Sequence, residues 1–263
     1  MNDKKNMVFV FFSVMLLALA SVVSAPAKPI SGDINILFTI PAASLLVILI
    51  PAIAINASSN STLNFSMAGW GGLSFALAIF IQQIIISLYV SLRGAGMVFT
   101  IADLAVFGLI SGCAQEIMKY IFMKFNRSQK IFERENFITM AVSFGTGFTA
   151  VEILFLTLKN ITGGMALPAG TINMLIPMIE RFSAALLHIS FSLFLVYGIC
   201  TGANYIWLTG AAFIHGFVNF MAGMVMKKII TVESLNFELY LLSFAAAVFL
   251  CSYLFIFKKI RNL

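Results

Sequence analysis

The chain has 263 residues, of which 61% are hydrophobic and only 10% are charged, and its mean hydropathy is +1.02. Soluble domains carry about 25% charged and about 45–50% apolar residues, so the composition excludes an ordinary soluble protein. The formal net charge is +6, but the basic residues lie between apolar segments and form no surface cluster, which argues against a nucleic-acid partner. The composition therefore predicts a multi-pass protein embedded in a lipid bilayer.

Apolar segments of about 20 residues, the length that crosses a bilayer as a helix, recur along the chain. They lie at 7–25, 34–55, 68–92, 104–124, 137–158, 174–199, 205–226 and 237–257. The first follows Lys4 and Lys5 and precedes Ala25-Pro26-Ala27, a pattern that is also typical of a cleavable signal peptide. We therefore expect residues 1–27 to be a signal peptide or a first span. Residues 28–263 should form one all-α bundle, which makes seven or eight spans in total.

Basic residues predict the orientation of these spans. The loop after the fourth span and the C-terminal tail both carry basic residues, namely Arg127, Lys130, Arg134, Lys258, Lys259 and Arg261. With eight spans both lie on the side of the N terminus, and the positive-inside rule makes that side cytoplasmic. Lys227 and Lys228 lie on the opposite side and are an exception. We expect a protein of the cell membrane with both ends of the full-length chain in the cytoplasm.

Ionisable side chains inside spans mark candidate sites, because each opposes insertion by about 2.5–3.5 kcal/mol. We take seven of them as candidates: Glu116, Lys119, Glu152, Glu180, Arg181, His188 and His215. Glu116 and Lys119 are three residues apart, and Gln115 and Lys119 are four apart, so all three can meet on one side of a helix. The alternative interpretation is an internal ion pair that only allows the helix to carry its own charge.

Small and polar residues accompany these groups at helical spacing. Gly108 and Gly112 form a G-x-x-x-G pattern, which permits close packing against a neighbouring helix. Arg181 and His188 share a helix face at a spacing of seven, and His215 and Asn219 at a spacing of four. Such side chains, together with Glu152, predict a polar cavity within the bundle.

The residue types suit several kinds of chemistry. A carboxylate and an imidazole can activate water, and a second imidazole with an amide one turn away can stabilise an oxyanion. His188 and His215 are also candidate zinc ligands, because two histidines and a carboxylate form a catalytic pattern. The chain has no H-E-x-x-H motif, which weakens the signal for a metal, so we expect either zinc or no cofactor. Proton-coupled transport uses similar residues, although we find no inverted repeat.

Four consecutive spans carry an ordered set of motifs. They are Gln115-Glu116-x-x-Lys119, Gly145-x-Gly147-Phe148-x-x-x-Glu152, Glu180-Arg181-x-x-Ala184-x-x-x-His188 and His215-Gly216-x-x-Asn219. This set resembles the YhfC and PrsW families of intramembrane proteases, in the superfamily of CAAX-processing and bacteriocin-processing enzymes. The resemblance covers about residues 104–223.

The resemblance implies an intramembrane endopeptidase that acts on a membrane-embedded or membrane-anchored peptide. By position, Glu116 is the second carboxylate of the family's pair, His188 helps to activate water, and His215 with Asn219 forms the oxyanion side. Lys119, Glu180 and Arg181 would support the carboxylates. Gln115 holds the place of the usual catalytic glutamate and cannot act as a base. Either Glu116 or Glu152 substitutes for it, or the protein is a non-catalytic scaffold that binds partner transmembrane helices.

Overall fold

Six long helices make up the part of the chain that the structure describes. This computed structural model describes residues 61–94, 98–128, 137–162 and 171–261. The helices, in chain order, are α1 Ser61–Arg93, α2 Ile101–Ser128, α3 Phe137–Thr162, α4 Thr171–Thr201, α5 Asn204–Met226 and α6 Ser234–Arg261. The all-α prediction is thus confirmed for these residues.

All six helices are long and apolar enough to cross a membrane, so this is an integral membrane protein. They coincide with the last six predicted spans. The first two predicted spans, at 7–25 and 34–55, lie outside the described residues, so the total of seven or eight remains a prediction. Large apolar side chains are exposed on the outer faces, as lipid contact requires, among them Phe80, Leu88, Phe213, Leu250 and Leu254.

Helix α2 starts with a capping box formed by Thr100 and Asp103. The Thr100 backbone N–H donates to Asp103 Oδ2 at 2.8 Å, and the Asp103 backbone N–H donates to Thr100 Oγ1 at 3.3 Å. Asp103 also accepts a 2.6 Å hydrogen bond from the Tyr89 hydroxyl of α1. This carboxylate therefore anchors the start of α2 to α1 and has a structural role.

Helices α2 and α5 approach each other closely because glycines line the contact. A Cβ atom on Gly112 would lie 2.4 Å from the carbonyl oxygen of Ala212, and one on Gly108 would lie 2.5 Å from that of Gly216. The close packing predicted from the G-x-x-x-G pattern is confirmed, with α5 as the neighbour. Glu116 is one turn beyond Gly112, so this contact brings Glu116 towards α5.

A glycine likewise places α3 against α4. A Cβ atom on Gly145 would lie 2.7 Å from the Cα atom of Ile189 and 3.0 Å from the His188 carbonyl oxygen. Glu152 is two turns along α3 from Gly145, on the same face. Helix α4 also contacts α2, α5 and α6, so it lies at the centre of the bundle and presents His188 to several neighbours.

Candidate active site

A buried ion pair lies near the middle of α2. Lys119 Nζ donates a 2.7 Å hydrogen bond to Glu116 Oε1, and both side chains are fully buried. The ammonium group also lies over the ring of Phe148, 4.3 Å from its centroid, a favourable cation–π position. The predicted internal pair therefore exists, but it does not stand alone, because two histidines join it.

His188 of α4 connects this pair to α3. Its Nδ1 lies 2.9 Å from Lys119 Nζ, and its Nε2 lies 2.8 Å from Glu152 Oε2. An ammonium group can only donate hydrogen bonds, so Nδ1 accepts and the ring proton resides on Nε2. His188 is therefore a neutral imidazole that donates to the Glu152 carboxylate.

His215 of α5 joins the same group from the other side. Its Nδ1 donates to Glu116 Oε1 at 2.8 Å, and its ring stacks on Phe191 with a centroid distance of 5.5 Å. The two imidazole rings are 5.1 Å apart between centroids. We call Glu116, Lys119, His188 and His215 the inner cluster. Each of its four members contacts at least one of the others.

Three further charged residues lie on the other side of Glu152 from the inner cluster. We call Glu180, Arg181 and Glu238 the rim. The Arg181 guanidinium pairs with Glu180 beside it, and its Nη1 is 3.8 Å from Glu152 Oε1. Glu152 therefore lies between the inner cluster and the rim. The predicted shared face of Arg181 and His188 is confirmed, because both side chains reach Glu152.

Asn219 of α5 and Gln115 of α2 belong to a second polar group, which is centred on Ser111 of α2. Asn219 Nδ2 donates to Ser111 Oγ at 2.9 Å, and Gln115 Nε2 donates to the same oxygen at 3.1 Å. Gln115 Nε2 also lies 3.4 Å from Gln82 Oε1 on α1. Gln115 thus faces α1 instead of joining Lys119 and Glu116, contrary to the expectation that all three meet.

A cavity of about 90 Å³ opens among α3, α4, α5 and α6. Its polar lining residues are Glu152, Glu180, Arg181, His188, His215, Asn219 and Glu238. The expected polar cavity is therefore present, and most of the predicted site residues line it. Glu116 and Lys119 are not among the lining residues; they lie behind the two histidines.

The cavity is directed to one side of the bundle. His188 and His215 are near the midpoints of the spans Ile176–Thr201 and Asn204–Met226. Glu238 is four residues from the start of the span Ser234–Ile256, or about 6 Å along the helix. The rim thus lies towards the side where α3 and α5 end and α4 and α6 begin.

Glu238 is the site residue that sequence reasoning missed. It is 8% exposed, and its Oε2 atom is buried without a hydrogen-bond partner among the described residues. The signal was available, because Glu238 is an acidic residue inside the predicted span 237–257 and therefore a candidate by the rule applied to the other spans.

The inner cluster contains a donor set that would suit a metal by type. A Glu116 oxygen and one ring nitrogen from each histidine lie within 4.8 Å of one another, and two histidines with a carboxylate can hold catalytic zinc. However, Lys119 Nζ is 2.7 Å from Glu116 Oε1 and 2.9 Å from His188 Nδ1. The ammonium group already bridges two of the three ligands and would repel a zinc ion, so these residues do not fit a metal.

Comparison with known proteins gives one similarity. Residues 159–241 match the model of the YhfC intramembrane metalloprotease family. The match covers α4 and α5 with parts of α3 and α6, so it includes His188, His215 and Asn219. No curated protein and no solved structure matches the chain. The predicted likeness to YhfC is confirmed over these residues, and the likeness to PrsW and to the wider superfamily remains a prediction.

Proposed function

We propose that this protein is an intramembrane endopeptidase that hydrolyses a membrane-embedded or membrane-anchored peptide by acid–base chemistry. The observation that carries the proposal is the convergence of Glu152, His188 and His215 from three helices on one cavity. The similarity to the YhfC intramembrane metalloprotease family supports intramembrane proteolysis, whereas hydrolysis without a metal is our own inference from the inner cluster. Residues 104–223 would then be the protease-like core of a bundle of seven or eight spans.

Glu152 is the residue that we assign to the activation of water. It lines the cavity, and its side chain is 16% exposed, whereas that of Glu116 is fully buried. An ionised carboxylate has about four acceptor sites, so Glu152 can accept a proton from water while it holds His188. His188 fixes the orientation of Glu152 and helps to position the water.

His215 and Asn219 form the opposite wall, which we assign to the oxyanion. Because His215 Nδ1 is engaged with Glu116, its Nε2 is the ring nitrogen left to face the cavity. The neutral ring carries its proton on Nδ1, so Nε2 first accepts the proton that is taken from water, and it can then donate that proton to the leaving amine. Asn219 lies one turn further on, held by Ser111. Glu116 and Lys119 are positioning residues, because they hold both imidazoles from behind.

The scaffold alternative rested on Gln115, which replaces the expected catalytic glutamate. Gln115 bonds to Ser111 and Gln82 and is not a lining residue of the cavity. A glutamine there leaves the Glu152–His188 pair intact, so the substitution does not by itself remove the acid–base groups. A scaffold that binds partner helices remains the second function, and the experiment below distinguishes it.

The site would work on the extracytoplasmic half of the cell membrane. The basic segment around Arg127 follows α2, and the basic tail follows α6, so both lie opposite the rim. If the positive-inside rule sets the orientation, the basic side is cytoplasmic and the cavity is directed outwards. Substrates are then expected to be cut between the bilayer midplane and its outer surface.

The test is the cleavage of a set of fluorogenic transmembrane and lipid-anchored peptides by the purified full chain in detergent. We expect cleavage by the wild type and a loss of at least about 100-fold in Glu152→Gln and His188→Ala. Glu233→Gln, which changes an exposed carboxylate in the α5–α6 turn, should retain full activity as the matched control.

Two outcomes would contradict the assignment. Full activity in both Glu152→Gln and His188→Ala would show that the cavity is not the site of hydrolysis. No cleavage of any peptide by the wild type, together with a partner membrane protein that co-purifies with both the wild type and His188→Ala, would favour the scaffold. Folding of each variant is checked by helical circular dichroism and gel filtration.

A further inference from the structure

We propose that the rim is a binding subsite for a cationic group of the substrate, either a Lys or Arg side chain or a free amino group. Glu238 is its principal acceptor, and Glu180 assists. The inference deepens the proposed function, because it takes a membrane peptide as the ligand and adds the charge that the peptide must carry.

The burial of the Glu238 carboxylate without a partner for one oxygen points to a ligand. Its carboxylate lines the cavity, the residue is 8% exposed, and its Oε2 atom is buried without a hydrogen-bond partner among the described residues. A carboxylate removed from water is unfavourable unless an opposite charge or hydrogen-bond donors meet it. A cation that enters the cavity would supply both.

The charges of the cavity wall are not balanced from within. The carboxylates of Glu152, Glu180 and Glu238 share one guanidinium, that of Arg181, which pairs with Glu180 and lies 3.8 Å from Glu152. His188 is neutral, because its Nδ1 accepts a hydrogen bond and only its Nε2 carries a proton. Lys119 is bound to Glu116 behind the histidines and is not available to the rim. The described part of the wall therefore carries more negative than positive charge, which favours a cationic ligand over an anionic one.

The position of the rim fits a long basic side chain. Glu180 and Glu238 are near the starts of α4 and α6, whereas the two histidines lie near the middle of the membrane. A Lys or Arg side chain can leave its apolar stem in the bilayer and extend its charged end towards the surface. The basic residue would thus lie in the part of the substrate between the scissile bond and the nearer membrane surface.

The experiment compares two fluorescent Leu/Ala transmembrane peptides of about 20 residues, one with a single Lys and one with Met at the same position two turns from the centre. Binding to the full chain is read as fluorescence anisotropy immediately after mixing, so it does not depend on cleavage. We expect the wild type to bind the Lys peptide about tenfold more tightly. Glu238→Gln should reduce that preference to less than about twofold, and Glu233→Gln should leave it unchanged.

Glu180→Gln is the second variant, because the Glu180 side chain is 41% exposed and its replacement will not disturb packing. It should reduce the preference about threefold. Equal binding of both peptides by the wild type, or a full preference in Glu238→Gln, overturns the proposal. A preserved preference for the Lys peptide without any cleavage would support this subsite while it overturns the endopeptidase assignment.

Discussion

The inner cluster and the rim treat buried charge in opposite ways. In the inner cluster, Glu116 Oε1 accepts hydrogen bonds from both Lys119 and His215, so the charge of the carboxylate is compensated inside the protein, although its Oε2 atom is buried without a hydrogen-bond partner among the described residues. At the rim, Arg181 is the one cation among the described lining residues, and Glu238 has no partner for its Oε2 atom. The negative charge of Glu116 is thus compensated by an ion pair without any ligand, whereas no ion pair compensates that of Glu238 among the described residues.

This difference suits the inner cluster to positioning the imidazoles and the rim to binding a ligand. A buried ion pair resists rearrangement, because removal of either partner leaves a buried charge, so it can hold two imidazoles in fixed orientations. At the incompletely paired rim, few existing interactions must break when a ligand binds. Glu152 lies between the two, with one oxygen on His188 and the other near Arg181, where a fixed base next to a binding site is needed.

The largest effect should follow from breaking the inner ion pair. Lys119→Met keeps the length of the side chain but leaves Glu116 as an unpaired buried carboxylate, and we expect a loss of about 3–5 kcal/mol in the free energy of unfolding. The measurement is unfolding in detergent by titration with SDS. Lys124→Met, an exposed lysine one turn further along the same helix, should change the value by less than about 0.5 kcal/mol.

The double variant Lys119→Met/Glu116→Gln sharpens this prediction. Because it removes both charges, it should recover more than half of the stability that the single variant loses. Equal losses in the single and double variants would show that the two charges do not act as a pair.

The next effect concerns the contact that brings the inner cluster together. Gly112→Ala places a Cβ atom 2.4 Å from the Ala212 carbonyl oxygen, so α2 and α5 must separate, with a loss of about 1–3 kcal/mol. Peptide cleavage should fall in parallel, because Glu116 moves away from His215. Gly210→Ala is the matched control on α5, since its Cβ would meet no atom within 4 Å. An equal response of both variants would argue against the close contact.

A smaller effect should follow from releasing Asn219. Ser111→Ala removes the hydroxyl that accepts from Asn219 Nδ2, so the amide loses its fixed position. We expect cleavage to fall about threefold to tenfold, less than the roughly 100-fold that follows removal of an oxyanion donor itself. Ser243→Ala, an exposed serine on α6 that bonds only to its own helix backbone, should have no effect. An unchanged rate in Ser111→Ala would remove Asn219 from the oxyanion wall.

The smallest effect on stability is expected at the rim. Glu238→Gln removes a carboxylate that lacks a partner for one oxygen, so the free energy of unfolding should stay within about 0.5 kcal/mol or rise. Measured beside Lys119→Met, this variant gives the contrast between the two regions directly. A loss as large as that of Lys119→Met would mean that Glu238 is paired within the protein and that the rim is complete without a ligand.

Sequence reasoning reached the local features of this fold. Apolar length alone predicted the six described spans. The i, i+3 spacing of Glu116 and Lys119 predicted that they can meet, with an ion pair as one of two interpretations. The G-x-x-x-G pattern predicted a close helix contact at Gly112. Each of these features depends on residues within one helix, so a single sequence contains the whole signal.

The features that could not be predicted depend on which helices contact each other. Nothing in the sequence indicates that α5 is the neighbour of Gly112, or that His188 would lie between Lys119 and Glu152. Gln115 turned out to face Gln82 of α1, because the glycine contact with α5 rotates the Glu116 side of α2 inwards. Periodicity gives the face on which a side chain lies, but it does not give the helix that this face meets.

Cleavage of a transmembrane peptide by wild-type protein treated with a zinc chelator, with metal content measured on the same sample, shows whether the active site hydrolyses peptides without a metal. We predict an unchanged rate with less than about 0.1 zinc per chain, because Lys119 supplies the cation between Glu116 and His188 and the acid–base groups belong to the chain itself. Loss of activity on chelation and its return with added zinc would contradict hydrolysis by the acid–base groups of the chain alone.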